Sequence, residues 1–148
     1  MKRNPLLTAT LVLLAFALFV TAAPSAMAAE CTLKTAKGYW AFTYTGSVIN
    51  PANGTLVAAA EIGVISLDGA GNASGTDTFS AGGGPGLDQT FKGTYKENPD
   101  CSGTFSLVVT PGGQTVTGSW VASSEDHAYL IYTSPGFAMS GTTSRLTN

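Results

Sequence analysis

The sequence predicts an all-β protein, an eight-stranded antiparallel up-and-down β-barrel with one disulfide. Three observations support this fold class. Short runs of alternating apolar and polar residues recur about every ten positions and are separated by turn residues. All 18 glycines, which suit tight turns, lie after residue 28 together with most of the threonines, which suit strands. No run of helical periodicity occurs after residue 28.

Residues 1–28 have the pattern of a secretory signal peptide. Lys2 and Arg3 give a positive start, residues 11–20 form an apolar run too short to span a bilayer comfortably, and Ala26-Met27-Ala28 fits a cleavage site. We therefore divide the chain into a signal peptide at 1–28 and a single barrel domain at 29–148. The protein is expected to be secreted or periplasmic, with no membrane span after signal removal.

The first strand has the clearest alternation, because Trp40, Phe42 and Tyr44 share one face. The second strand and the seventh have apolar residues on both faces, so alternation does not orient them. Between the second and third strands, residues 68–72 (DGAGN) have the composition of a tight hairpin. The predicted strands span residues 38–47, 56–67, 72–80, 88–96, 102–110, 115–123, 128–133 and 136–146.

Alternation also assigns an inner face to the later strands. The links between most strands are short, which places neighbours in sequence side by side and antiparallel, and closure removes the two exposed edges. Glycines 63, 75, 93, 103, 118 and 141 would relieve crowding or permit strong coiling. The larger inward side chains of strands four, five, six and eight are Phe91, Tyr95, Phe105, Leu107, Val109, Val116, Trp120, Phe137 and Met139.

Cys31 and Cys101 are an even pair in a predicted exported chain, so they are expected to form a disulfide. The bond would close a loop of about 70 residues and stabilise the fold by about 4 kcal/mol in the chain-entropy model. It would join the segment before the first strand to a turn between two later strands.

Charge excludes some classes of partner. Without Lys2 and Arg3, five basic residues face nine acidic ones, a net charge of −4. Nucleic acids and anionic membranes both favour a basic surface, so neither is an expected partner. The sequence leaves the oligomeric state open.

An eight-stranded barrel is either filled by its side chains or able to hold one small ligand. Both outcomes fit this sequence, and a partial cavity at the open end, away from Trp40, is slightly favoured. The residues predicted to line it are Phe42, Tyr44, Phe91, Tyr95, Phe105, Trp120 and Met139.

Gly38-Tyr39-Trp40 resembles the G-x-W with which lipocalins, members of the calycin superfamily, begin their first strand. That resemblance implies a calycin-like barrel, in which a basic residue near the chain end packs over the tryptophan and closes the floor. Arg145 is placed to do this for Trp40 by a cation–π contact. The chain also resembles a group of small secreted bacterial barrels of no established function, through its aromatic first strand, residues 68–72 and residues 100–104.

Few residues suggest catalysis or metal binding. His127, the only histidine, is expected to be a solvated turn residue, and no catalytic residue, metal site or cofactor is predicted. Glu61 and Asp77 lie in strands and are expected to face water, as most strand carboxylates do. If they point inward instead, they can bind the polar head of a ligand or act as a general base.

Three functions remain open. The favoured one is a non-enzymatic secreted barrel that binds a small apolar or amphipathic ligand. The second is an isomerase- or cyclase-like barrel enzyme with Glu61 or Asp77 as the base. The third is a packed structural or interaction barrel with no ligand.

Overall fold

Eight antiparallel strands close into a barrel in the computed structural model of the protein, which describes residues 30–147. The predicted signal peptide lies outside the described residues. A single-turn helix, α1 (Leu33–Ala36), precedes the barrel and was not expected from the sequence. The strands are β1 (Gly38–Ile49), β2 (Leu56–Leu67), β3 (Asn72–Ala81), β4 (Leu87–Glu97), β5 (Ser102–Thr110), β6 (Thr115–Ser124), β7 (His127–Tyr132) and β8 (Phe137–Arg145).

Each predicted strand is present, with bounds that differ by two residues at most. Every strand pairs with its neighbour in sequence, and β8 pairs with β1, so the meander order is confirmed. The closing register sets Trp40 opposite Arg145 and Tyr44 opposite Gly141. Since all strands are paired on both sides, the described barrel has no free edge.

The hairpin between β2 and β3 forms as predicted. The Asp68 carboxylate accepts hydrogen bonds from the backbone N–H groups of Ala70 and Asn72, at 2.7 and 2.9 Å. A hydrogen bond from the Asn72 side-chain amide, together with these two backbone bonds, lowers the pKa of Asp68. Gly69 and Gly71 have φ angles of 80° and 99°, which favour glycine. A hairpin turn fully accounts for this motif.

Four large rings of the interior each lie over a glycine on the adjacent strand. The register pairs Phe42 with Gly63, Phe91 with Gly75, Phe105 with Gly118, and Trp120 with Gly103. A Cβ atom at position 63 would come within 2.7 Å of the Phe42 ring, and Cβ atoms at the other three glycines would also clash with the opposite ring. These glycines therefore provide the space in which the rings pack, in agreement with the expectation that they relieve crowding.

The two ends of the barrel differ. We call the end formed by residues 30–38 and the turns after β2, β4 and β6 the N-terminal end, and the other the opposite end. Val48, Ala59 and Met139 are buried toward the opposite end, and Val57, Phe79 and Phe137 pack against the same core. Met139 is only 1% exposed. Side chains therefore fill the opposite end.

Candidate ligand-binding cavity

A cavity of about 750 Å³ extends from the N-terminal end into the middle of the barrel. Its exposed lining residues, such as Lys34, Ser124 and Asp126, all belong to the N-terminal end, so the cavity opens there. Its deeper lining includes Tyr44, Glu61 and Tyr132. A volume of this size is typical of sites for small organic molecules.

Six of the seven residues predicted to line a ligand site do line this cavity, namely Phe42, Tyr44, Phe91, Tyr95, Phe105 and Trp120. The seventh, Met139, lies outside the lining in the packed opposite end. The expected position of the opening was wrong. Trp40 itself lines the cavity, which opens at its end of the barrel rather than away from it. The reason is that side chains from β1, β2, β3 and β8 fill the opposite end.

Aromatic rings form much of the cavity wall. The Phe42 ring centroid lies 5.8 Å from that of Tyr44 and 6.0 Å from that of Phe91. Tyr44 stacks on Tyr132 at 4.4 Å, and Phe105 meets Tyr132 edge-on at 5.9 Å. The wall is therefore an apolar surface of rings that support one another.

Glu61 and Asp77 point into the barrel, and each is only 7% exposed. The expectation that they face water was wrong. Register is the cause: Glu61 pairs directly with Tyr44, and paired residues of antiparallel strands share a face. Asp77 pairs with Gly63, two residues from Glu61 on the same face of β2, so the two carboxyl groups are diagonal neighbours.

Tyr132, which the sequence analysis did not place among the cavity-lining residues, holds the carboxyl group of Glu61. Its hydroxyl donates toward Glu61 and lies 3.0 Å from Oε1 and 2.9 Å from Oε2. Burial, then the hydrogen bond and negative charge of Asp77, raise the pKa of Glu61 to about 8, while the Tyr132 bond opposes the rise. Burial likewise raises the pKa of Asp77. The pair therefore retains a proton at neutral pH.

Asp77 leaves one oxygen without a partner. Its Oδ1 atom is buried and accepts no hydrogen bond, although Asp77 lines the cavity. Buried acceptors without a donor are uncommon in native proteins, and each calls for an explanation. Asp77 shares a hydrogen bond with Glu61, and Oδ1 is the Asp77 oxygen that has no partner among the described residues.

Arg145 joins the N-terminal segment to the barrel. Its guanidinium carbon lies 4.3 Å from the centroid of the Trp40 ring, the cation–π contact that was predicted. The guanidinium also donates to the carbonyl oxygens of Lys37 and Thr35, each at 2.6 Å, and forms an ion pair with Asp126 at 3.1 Å. The contacts secure residues 35–37 beside the cavity opening rather than sealing the end.

Two further links fasten the same segment. Cys31 and Cys101 form the predicted disulfide, which joins the segment before α1 to the turn between β4 and β5. The hydroxyl of Tyr95 accepts a bond from the Gly69 N–H at 3.0 Å and donates to the Leu33 carbonyl at 3.1 Å. The rim of the cavity is thus fixed by covalent and polar contacts.

Residues 30–147 contain one histidine and nine carboxyl side chains. No cluster of three or more potential metal ligands occurs there. His127 is exposed, and its ring nitrogens lie 3.3 and 3.5 Å from the Ser144 hydroxyl. In the same part of the chain, no helix has the length and apolar character needed to cross a bilayer.

Comparison with known proteins supports the fold. No protein-family model matches the chain, and no curated protein matches it in sequence. The structure of a redesigned beta barrel, b11L5F_LGL, matches 80% of this chain and 99% of its own, with a TM-score of 0.51 and 17% identity. The structure of EF1p2_mFAP2b bound to DFHBI matches 78% of this chain and all of its own, with a TM-score of 0.49 and 14% identity. At such identities, the redesigned barrel indicates similarity of fold alone.

Proposed function

We propose that this protein is an exported, calycin-like barrel that binds one small amphipathic molecule. The observation that carries the proposal is the cavity of about 750 Å³, in which an aromatic wall leads to the buried pair Glu61 and Asp77. An apolar cavity with a few converging polar groups is the usual form of a small-molecule site. The ligand would enter past Trp40 and Arg145, with its polar group innermost.

Export is the second element of the proposal. The disulfide between Cys31 and Cys101 supports it, because such bonds persist in oxidising compartments. The signal peptide remains a prediction from residues 1–28. N-terminal sequencing of the protein purified from its own host tests both, since a mature chain that begins near residue 29 is the expected result.

Native mass spectrometry of the same purified protein tests ligand binding. We expect a mass above that of the chain, which falls to the chain mass on denaturation. The variant A128F should reduce the bound fraction at least tenfold, because Ala128 is buried and lines the cavity. The matched control is A60F, whose position is exposed on β2. Equal occupancy of the two variants would place the ligand outside the barrel.

One observation favours a second function, an isomerase that moves a proton within its substrate. Glu61, with its pKa raised to about 8, is suited to accept and return a proton near neutral pH. Incubation of the co-purifying molecule with the protein in D₂O would then introduce deuterium at carbon. The exchange should be absent with E61Q. If the bound molecule gains no deuterium, the isomerase function is excluded and only the carrier function remains.

A further inference from the structure

The Asp77 Oδ1 atom has no described hydrogen-bond donor in the innermost part of the cavity. Asp77 is 93% buried, given its exposed fraction of 7%, and no described group donates to this oxygen. An orphaned acceptor of this kind costs free energy in the free protein, because its hydrogen bond to water is lost on burial. A ligand that brings a donor to this point recovers that free energy on binding.

The acid pair also lacks a cation. Within residues 30–147, Lys92 and Lys96 are exposed on β4, and Lys34 and Lys37 are exposed at the mouth of the cavity. Arg145 is engaged at the N-terminal end with Asp126 and backbone carbonyls. None of the described basic side chains forms an ion pair with Glu61 or Asp77. Buried carboxylates are ordinarily paired, so the missing counter-ion is a second property of this site.

We propose that the ligand carries a basic nitrogen, and that its ammonium group binds between Glu61 and Asp77 with an N–H donated to Asp77 Oδ1. This inference rests on the proposed small-molecule binding and assigns its ligand class, an amphipathic amine. Charge supplied by the ligand would replace the counter-ion that the described part of the chain does not provide.

Aromatic rings next to the acid pair suit a cation as well. The Phe42 ring and Asp77 Cβ both lie within 3 Å of the point that a Cβ atom at Gly63 would occupy, at 2.7 and 2.8 Å. Tyr44, which pairs with Glu61 across the strands, stacks on Tyr132. Ring faces attract ammonium groups. An anionic ligand would meet like charge at this point.

Amine binding would displace the proton that the pair holds. The phenols that face the pair are Tyr44 on β1 and Tyr132 on β7, and burial raises the pKa of both, so they stay neutral. Tyr95 on β4 bonds to the N-terminal segment and likewise has a raised pKa. The proton released on binding therefore comes from Glu61 and Asp77, and it passes to the buffer.

Isothermal titration calorimetry with matched probes tests the inference. The probes are tryptamine, phenethylamine and dodecylamine, each compared with its neutral alcohol counterpart, tryptophol, 2-phenylethanol or dodecanol. At pH 7.5 we expect at least one amine to bind at least tenfold more tightly than its alcohol. Its binding heat should change with the ionisation enthalpy of the buffer, because a proton is released.

Variants complete the test. D77N removes the charge at nearly constant shape and should weaken amine binding at least tenfold, while alcohol binding changes less than twofold. The matched control is D88N, since Asp88 is exposed on β4. Urea denaturation midpoints establish that each variant is folded. If D77N does not fold, E61Q is a second variant that removes a charge from the pair.

The outcomes separate the two proposals. Equal affinity for amines and alcohols, or an amine affinity that survives D77N and E61Q, would overturn the amine inference and leave small-molecule binding intact. If none of the six probes binds, the amine inference is overturned together with the proposed cavity function.

Discussion

The hydroxyl of Tyr132 lies 2.9 Å from Oε2 and 3.0 Å from Oε1 of Glu61, so a hydrogen bond connects β7 to β2 through the barrel interior. The two residues are 71 positions apart in sequence. The bond fixes the carboxyl group beside the Tyr44 ring and opposes the effect of burial on its pKa. The acid–base behaviour of the cavity therefore depends on a contact between distant strands.

Replacing Tyr132 by phenylalanine removes this hydrogen bond and keeps the stacked ring. Since the bond lowers the pKa of Glu61, we expect the pKa to rise above about 8 in Y132F. The free energy of unfolding should fall by about 1 kcal/mol. A carbon-13 NMR titration of the Glu61 carboxyl carbon measures the first effect and urea denaturation the second. The control is Y129F, because Tyr129 is 60% exposed. A lower Glu61 pKa in Y132F would contradict the prediction.

Stability should fall as the pH rises from about 4.5 to about 8. In the unfolded chain Glu61 loses its proton near its ordinary pKa of 4.5, whereas the folded protein keeps it to about 8. The stabilisation that Glu61 contributes is therefore fully present below pH 4.5 and is lost as the pH rises through 8. The slope approaches about 1.4 kcal/mol per pH unit for one proton, and Asp77, with its raised pKa, acts in the same direction.

Urea denaturation of the wild type and E61Q at several pH values between 4 and 9 checks this dependence. The difference between the two curves isolates Glu61 from Glu97, whose pKa burial also raises. We expect the E61Q profile to be flatter across this window. Parallel curves for the two proteins would show that Glu61 titrates normally in the folded state.

Replacing Arg145 by lysine should destabilise the N-terminal end although the charge is kept. An ammonium group cannot donate to the carbonyls of Thr35, Lys37 and Glu125 in the geometry of a planar guanidinium. We expect R145K to lose about 1–3 kcal/mol of stability. Hydrogen exchange should increase in residues 33–38. K92A, an exposed change on β4, serves as the control. Wild-type exchange in R145K would mean that other contacts hold this segment.

Adding a methyl group at Gly75 should crowd the barrel. A Cβ atom there would meet the Phe91 ring and the Val64 carbonyl, so one of them must move. Overpacking of this kind costs about 1–3 kcal/mol of stability. Urea denaturation of G75A measures this loss. G84A is the matched control, because a Cβ atom at Gly84 would have only the Ala81 carbonyl nearby, at 3.3 Å. Equal stability of the two variants would show that the Phe91 ring moves aside freely.

Local patterns predicted the strands well because turn residues and alternation act over a few positions. The first strand was oriented correctly, since Trp40, Phe42 and Tyr44 share a face and are all buried. The Trp40–Arg145 contact was anticipated only through a resemblance at Gly38-Tyr39-Trp40. The position of the cavity opening was not predicted, because it depends on which end the side chains fill.

Sequence by itself determined the meander of eight strands, the disulfide and the aromatic inner face of β1. Only the tertiary structure decided how β2 is oriented. Ile62 is 62% exposed and its neighbour Glu61 only 7%, the reverse of what hydrophobicity suggests. The pairing of β2 with β1 sets Glu61 beside Tyr44 and Gly63 beside Phe42, and a shift of one residue would turn every side chain to the other face. The acid pair of the cavity thus follows from strand register, which no local pattern encodes.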